Sequence, residues 1–213
     1  IAARQNNDPQ TLFALALSGG GMRAAAFSYG VLEELHRTPI VVGGQHRRLL
    51  DEVDLVTAVS GGSFTALSYA LYGEDLFRDY VSRFLKRNIQ GEILNRVLNP
   101  LNWPRLVGGP YGRSELAADY YDEILFGGKT FDDLAGLPGP FVLVTGTDLS
   151  TGGRLGFSQT DFDLLCSDVG KVRLSRAAAT SSAVPSVFSP VTFNNYGGSC
   201  GYRLPDYLED ILN

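Results

Sequence analysis

The sequence predicts an α/β fold with a mostly parallel central sheet. Two apolar runs, residues 12–18 and 53–59, suit strands that are buried on both faces, and each ends at a glycine cluster. A segment with helical spacing of apolar residues follows each cluster. Two strand–glycine–helix units within the first 72 residues are typical of α/β proteins.

The other elements follow from the same patterns. Apolar side chains at helical spacing predict a first helix from Met22 to about His36, interrupted by Pro39 and Gly43-Gly44, and a second helix over 64–72. Residues 141–147 predict a third strand, with a partner strand over 153–157. Residues 174–182 predict a helix that Pro185 ends.

Residues 75–134 are predicted to be mostly helical and to form an insertion or lid-like region. Apolar residues recur there at helical spacing in two sets: Leu76, Tyr80, Phe84 and Leu85, then Ile89, Ile93, Leu94, Val97 and Leu98. Around Trp103, the apolar residues Leu101, Leu106 and Val107 form an interfacial or lid surface, or they pack the helices onto the sheet. The sequence leaves both interpretations open.

Composition limits the classes of function. The chain has 213 residues, 44% of them hydrophobic, which is enough for one domain with a sizeable core. Its net charge is −5 and no run of basic residues occurs, so a dedicated nucleic-acid partner is not expected. No stretch approaches the roughly 18 apolar residues of a transmembrane segment.

The ends of the chain predict truncation on both sides. It begins at Ile1, without an apolar signal core, and residues 206–213 resemble the start of an amphipathic helix. The compartment therefore stays open, with membrane association and secretion both possible. Cys166 and Cys200 are either two buried thiols or one bridge formed in an oxidising compartment, and their spacing does not decide.

Ser60 is the candidate nucleophile. It lies where the strand over 53–59 meets a helix, and such a sharp turn lifts a serine hydroxyl clear of the sheet. Small residues are needed on either side because strand and helix nearly touch. Ala58, Gly61 and Gly62 form this nucleophile elbow, with Ala58 where the usual motif has glycine.

A glycine loop after the first strand is the candidate oxyanion hole. Its residues are Gly19, Gly20, Gly21, Met22 and Arg23. Consecutive glycines that open a helix direct backbone N–H groups at one point, and the helix N-terminus adds partial positive charge. Either glycine segment alone is also compatible with a tight turn or a phosphate site. The first loop, however, lacks the Gly-Lys-Ser/Thr ending of a P-loop, and Ala24 replaces the last glycine of a dinucleotide motif.

The histidines do not supply a base for Ser60. A hydrolase triad of this type runs in the order Ser, Asp or Glu, His, whereas His36 and His46 both precede Ser60 and are most simply surface residues. The sequence therefore favours a Ser–Asp dyad over a triad.

These residues resemble the patatin-like phospholipase family. Residues 15–23 are similar to its oxyanion loop, and 57–63 to its nucleophile elbow. Residues 147–152 are similar to its central strand and turn, and 177–188 to a helix–proline segment before its second active-site motif. The resemblance covers most of the chain, so that 1–213 is expected to be a single patatin-like catalytic domain.

The resemblance implies a three-layer α/β/α fold, a lipid or acyl-ester substrate, a possible peripheral membrane contact, and a Ser–Asp dyad without metal or cofactor. The family aspartate stands before glycine, but this sequence has no Asp-Gly pair. The catalytic aspartate is therefore expected beyond Asn213 rather than at Asp206 or Asp210, and Asp148 is expected to fix its own turn.

Two rival functions remain from the sequence. A pseudoenzyme with the elbow and glycine loop would bind lipid without cleaving it, an alternative that the absent Asp-Gly pair keeps open. A phosphate-binding regulatory domain that uses the same glycine loops ranks well below it.

Overall fold

The protein was analysed as a computed structural model, which describes residues 8, 11–107, 111–184 and 188–203. Six strands lie in the described residues: β1 (Phe13–Leu17), β2 (Pro39–Val42), β3 (Gln45–Arg48), β4 (Val53–Val59), β5 (Phe141–Thr147) and β6 (Arg154–Gly156). The α-helices there are α1 (Gly21–Arg37), α2 (Gly61–Tyr72), α3 (Leu76–Tyr80), α4 (Ile89–Leu98), α5 (Trp103–Val107), α6 (Arg113–Tyr121), α7 (Phe131–Ala135), α8 (Gln159–Leu164) and α9 (Leu174–Ser182).

The central sheet has the strand order β1-β4-β5-β6. The first three strands are parallel and β6 is antiparallel to β5. Because the register aligns Leu17 with Ala58 and Ala58 with Val144, these three side chains point to the same face. The predicted α/β class, with its mostly parallel sheet, is confirmed.

That face of the sheet carries the helical layer and the core. Helix α2 packs on β4 and β5, α1 packs against α2, and α9 packs on β5. Ala58 and Val144 are buried beneath these helices. On the opposite face Phe141 remains 48% exposed in the described part of the chain. The described residues thus supply the sheet and one helical layer of an α/β/α arrangement.

A β-hairpin follows α1, and the sequence did not predict it. Strands β2 and β3 pair antiparallel across a two-residue turn. Gly43 and Gly44 have φ of 57° and 79°, the left-handed conformation that such a tight hairpin turn requires at both positions. The two glycines lie beyond the end of α1, as the helix-breaking pattern predicts, and they form the turn of a hairpin.

The described residues between 75 and 134 fold into helices and turns. Leu76, Tyr80 and Phe84 are buried there, as predicted from their spacing. Ile89 and Ile93 bury one side of α4. The role of this region as an insertion or lid stays a prediction. Among the described helices, none has both the length and the apolar character needed to cross a bilayer.

Cys166 and Cys200 form a disulfide, which resolves the alternative that their spacing left open. The bridge ties the irregular chain around Cys200 to the residues that follow α8. Nearby backbone bonds strengthen the same connection, because the Tyr196 N–H donates to the Leu165 carbonyl at 3.0 Å. The bridge joins residues 34 positions apart, and cross-links of this kind stabilise a fold mainly by restricting the unfolded chain.

Candidate active site

The carboxyl ends of β1, β4 and β5 meet at one edge of the sheet because the three strands are parallel. The glycine loop leaves β1 at this edge and Ser60 leaves β4. Ligand sites of open α/β sheets lie beyond the carboxyl ends of the strands. The two candidate segments, about forty residues apart in sequence, are therefore brought together where a site is expected.

Ser60 occupies a strained backbone position between β4 and α2. Its φ of 53° and ψ of −121° are rarely adopted by a residue with a side chain, and it is the residue that caps the N-terminus of α2. Strain of this kind costs about 1–3 kcal/mol and persists only when the surroundings impose it. Ser60 is partly exposed, so its hydroxyl can meet a ligand at the sheet edge.

The glycine loop lies directly against the elbow. A Cβ added at Gly19 would lie 3.1 Å from the Ser60 Cβ, so this backbone faces the candidate nucleophile. A Cβ at Gly61 would overlap the Gly21 carbonyl oxygen, and one at Gly62 would lie 2.8 Å from the carbonyl oxygens of Leu17 and Ser18. The two segments can approach this closely only because these positions lack side chains.

The loop itself adopts glycine-specific backbone conformations. Gly20 has φ of 136° and Gly21 has φ of 63°, and α1 begins at Gly21. The first N–H groups of a helix have no partner within the helix, so this end of α1 presents free donors and partial positive charge. Met22 packs partly against the core, whereas Arg23 is exposed.

Ala58 fits the elbow despite its additional methyl group. It lies in β4 between Leu17 and Val144 of the neighbouring strands and is only 4% exposed. The substitution of alanine for the usual glycine is therefore accommodated within the packed face of the sheet.

Ser181 supports the elbow from behind, although the sequence indicates no such role for it. Its hydroxyl accepts a hydrogen bond from the Ser60 backbone N–H at 2.7 Å and donates to the Thr145 carbonyl at 2.6 Å. The Ser63 hydroxyl lies 3.1 Å away and acts as donor, because the single Ser181 proton is already used. One side chain of α9 thus connects the elbow to β5.

We expect Ser181→Ala to slow the reaction of Ser60 with a fluorophosphonate. The change leaves the Ser60 N–H and the Thr145 carbonyl without their partner, at a cost of about 1–3 kcal/mol. Ser181→Thr, which keeps the hydroxyl, should restore most of the rate. Ser182→Ala is the matched control on the same helix, because that hydroxyl bonds to α9 carbonyls, at 2.8 and 3.3 Å, and to the buried Tyr121 side chain, so its loss removes comparable bonds away from the elbow. An unchanged rate in Ser181→Ala would contradict this positioning role.

Within the described residues, no hydrogen-bond partner is found for the Ser60 hydroxyl. His36 lies at the far end of α1, about 22 Å along the helix from Gly21. It is not a freely solvated side chain, since it stacks on Phe77 at 4.5 Å, while His46 is exposed on β3. Neither histidine is in a position to act on Ser60.

Asp148 holds its turn, as predicted. Its carboxylate accepts from the Ser150 N–H and from the Thr151 hydroxyl, both at 2.8 Å. These bonds favour the ionised form and lower the pKa of Asp148 below its ordinary value. Asp206 and Asp210, the other acids considered, lie outside the described residues. In the described part of the chain, no three His, Cys, Asp or Glu residues cluster as a metal site would need.

The fold and the site together define an α/β protein with a strained serine elbow facing a glycine loop. The family model for patatin-like phospholipases matches residues 15–206. The chain therefore belongs to the patatin-like phospholipase family, as its motifs predicted. No curated protein sequence matches the chain.

Two solved structures are similar to the chain. Human GIVD cytosolic phospholipase A2, in complex with methyl gamma-linolenyl fluorophosphonate inhibitor and terbium chloride, matches 81% of this chain at 20% identity and a TM-score of 0.50. The heterodimeric ExoU–SpcU complex of the Pseudomonas aeruginosa type III secretion system matches 91% at 20% identity and a TM-score of 0.46. The chain spans 29% and 39% of these proteins. With the family membership, the first likeness confirms the predicted three-layer α/β/α fold.

Proposed function

We propose that the protein is a serine acyl hydrolase that cleaves carboxylic esters of lipids through an acyl-enzyme on Ser60. The observation that carries this proposal is the elbow: Ser60 has φ of 53° and its Cβ lies against the backbone of Gly19. A strained serine beside a glycine loop has the parts that acyl transfer needs, a raised nucleophile and backbone donors. Membership of the patatin-like phospholipase family supports the lipid class of the substrate.

In the proposed reaction, the Ser60 oxygen attacks the ester carbonyl carbon and its proton passes to a base. The carbonyl oxygen becomes an oxyanion, which the N–H groups of Gly20 and Gly21 would bind. The tetrahedral intermediate then collapses, the bond to the alcohol breaks, and the alcohol leaves with a proton. Water hydrolyses the acyl-enzyme and restores Ser60. Each backbone donor of this kind contributes about 3–4 kcal/mol to such an intermediate.

Two helix N-termini favour the negative charge of this intermediate. Helix α2, of 12 residues, begins immediately after Ser60, and α1, of 17 residues, begins at Gly21. Their partial positive charges add to the backbone donors because both helix ends meet at the same edge of the sheet. Exposed Arg23, in the first turn of α1, adds positive potential or holds the loop in this proposal.

The base of the reaction is assigned to none of the described residues. An aspartate beyond Asn213 stays a prediction, as does the absence of a metal or cofactor. We also propose that the protein meets its substrate by peripheral contact with a membrane.

A lipid-binding pseudoenzyme is the second candidate function. The observation that favours it is the Ser60 hydroxyl, which has no hydrogen-bonding base among the described residues. Such a protein would keep the oxyanion loop for binding an acyl group but would not activate the serine.

Labelling with a fluorophosphonate separates the two candidates. In an active hydrolase, the Ser60 oxygen attacks phosphorus, fluoride leaves, and mass spectrometry finds the phosphonyl group on the peptide that contains Ser60. We expect one labelled site, lost in Ser60→Ala and retained in the control Ser82→Ala, an exposed serine on another helical turn. A folded protein that extends beyond Asn213 and carries no label on Ser60 would overturn the hydrolase proposal in favour of the pseudoenzyme.

A further inference from the structure

Four large apolar side chains are exposed on α4, on the turn that follows it and at the start of α5. Leu94, Leu98, Leu101 and Trp103 are 56%, 61%, 83% and 53% exposed, and they are called the apolar patch below. Single exposed apolar residues are ordinary on protein surfaces, but a group within ten residues marks an interaction site.

The patch is one continuous surface. Leu94 and Leu98 are four residues apart on α4 and so share a face of that helix. The Trp103 indole N–H donates to the Val97 carbonyl at 3.2 Å, which holds the ring against the last turn of α4. The Asn102 side-chain amide donates to the Arg96 carbonyl at 2.7 Å, which also holds the following turn against the end of α4. The buried residues Ile89 and Ile93 anchor the opposite side of α4 to the core.

The patch lies in the most basic part of an acidic chain. Residues 81–107 contain five Arg or Lys and one Glu, whereas the whole chain has a net charge of −5. Two acids from outside this segment pair with it, since Glu123 contacts Arg96 at 2.6 Å and Asp119 contacts Arg105 at 3.3 Å. When Glu123 and Asp119 are counted with the segment, its Arg and Lys residues still outnumber the acidic residues.

Exposed Leu and Trp side chains in a segment where Arg and Lys outnumber acidic residues fit the surface of an anionic bilayer. The apolar groups enter the boundary between head groups and acyl chains, and the cations remain among the negatively charged head groups. Trp suits this depth because its ring is apolar and its N–H is already bonded to Val97. A protein partner would have to supply a complementary apolar surface as well as acidic residues, whereas an anionic bilayer presents both over its whole surface.

We infer that the apolar patch docks the protein on anionic lipid bilayers. This inference rests on the proposed function, because the docking surface would bring Ser60 to its lipid substrate. Binding itself does not require catalysis. Leu94, Leu98 and Leu101 are exposed, so their replacement should leave the fold intact.

Sedimentation with vesicles tests this docking surface. We expect the protein to bind vesicles with about 30 mol % phosphatidylserine more tightly than phosphatidylcholine vesicles, and to be released as salt rises to about 0.5 M. The triple variant Leu94→Ser, Leu98→Ser, Leu101→Ser should bind about 10-fold or more weakly. Leu12→Ser is the matched control, since Leu12 is 66% exposed on the strand side of the fold.

Three results would overturn the docking inference. The first is equal vesicle binding by the triple variant and the unchanged protein, with circular dichroism showing both folded. The second is equal loss of binding in Leu12→Ser. The third is sedimentation velocity showing a dimer that only the triple variant loses while vesicle binding persists, which would assign the patch to a second copy of the chain.

Fluorophosphonate labelling of the same samples keeps this inference separate from the proposed function. Ser60 labelled in a protein that does not bind anionic vesicles overturns the docking surface alone. Vesicle binding that depends on the patch, in a protein that extends beyond Asn213 and whose Ser60 stays unlabelled, supports the docking surface and overturns the hydrolase proposal.

Discussion

Ser60→Ala, made in a chain that extends beyond Asn213 to the predicted base, is expected to lower the turnover of a p-nitrophenyl acyl ester by at least about 10³-fold, whereas residues 1–213 alone are expected to show little turnover. The variant removes the atom that would form the acyl-enzyme while leaving the glycine loop and both helix ends in place. Its KM should change little if the ester is bound mainly by the surrounding surface, because loss of a nucleophile acts on the chemical step. Initial rates over a range of ester concentrations measure both quantities.

The control for this experiment is Ser82→Ala, which removes an exposed hydroxyl bonded to the Asp79 carbonyl at 2.9 Å and should keep full turnover. Urea unfolding should show that Ser60→Ala is about as stable as the unchanged protein, because alanine bears the same backbone strain and its introduction removes no side-chain hydrogen bond found in the described residues. Turnover that persists in Ser60→Ala would refute Ser60 as the nucleophile.

Much of the sheet and its connection to the site could be predicted from the sequence because the relevant signals are local. Strand β4 is predicted with its bounds, Val53–Val59, since an apolar run interrupted only by Asp54 and Thr57 is typical of a buried strand. The glycines at 19–21 and 61–62 predict a close approach of two backbone segments. In the structure, the glycine loop and the elbow approach each other at these positions. Their catalytic roles stay predictions.

The remaining features depend on contacts between residues distant in sequence. Ser181 meets Ser60 across 121 positions, and its hydroxyl resembles any other near the end of a helix. The only sequence signal that includes Ser181 is the resemblance of residues 177–188 to a segment of the family. The bridge between Cys166 and Cys200 likewise depends on how the chain after α8 folds back, which two cysteines alone do not indicate.

Helical spacing did not distinguish the two sides of α4. The sequence places Leu94 and Leu98 in one apolar set with Ile89 and Ile93, but only the isoleucines are buried, and the leucines lie on the opposite side of the helix. Periodicity identifies residues on one side of a helix without showing whether a neighbour covers them. The difference between the pattern and the observed exposure is the evidence for the apolar patch.

Gly61→Ala is expected to destabilise the fold by about 3 kcal/mol or more and to remove the reactivity of Ser60. The added Cβ would overlap the Gly21 carbonyl oxygen, which is backbone and cannot rotate away. Either the glycine loop or the start of α2 must then move, and both are parts of the proposed oxyanion site. Urea denaturation measures the loss of stability, and fluorophosphonate labelling measures the loss of reactivity.

Gly30→Ala provides the matched control within the same pair of helices. Gly30 lies inside α1, and a Cβ there would meet no atom within 4 Å. The change should raise stability by about 0.5–1 kcal/mol, since alanine favours a helix interior over glycine. If Gly61→Ala and Gly30→Ala had similar effects, the close contact between loop and elbow would be wrong. Helix propensity alone favours alanine at both positions. Stability changes of opposite sign in the two variants would therefore show that Gly61 is needed for the close approach of two backbone segments.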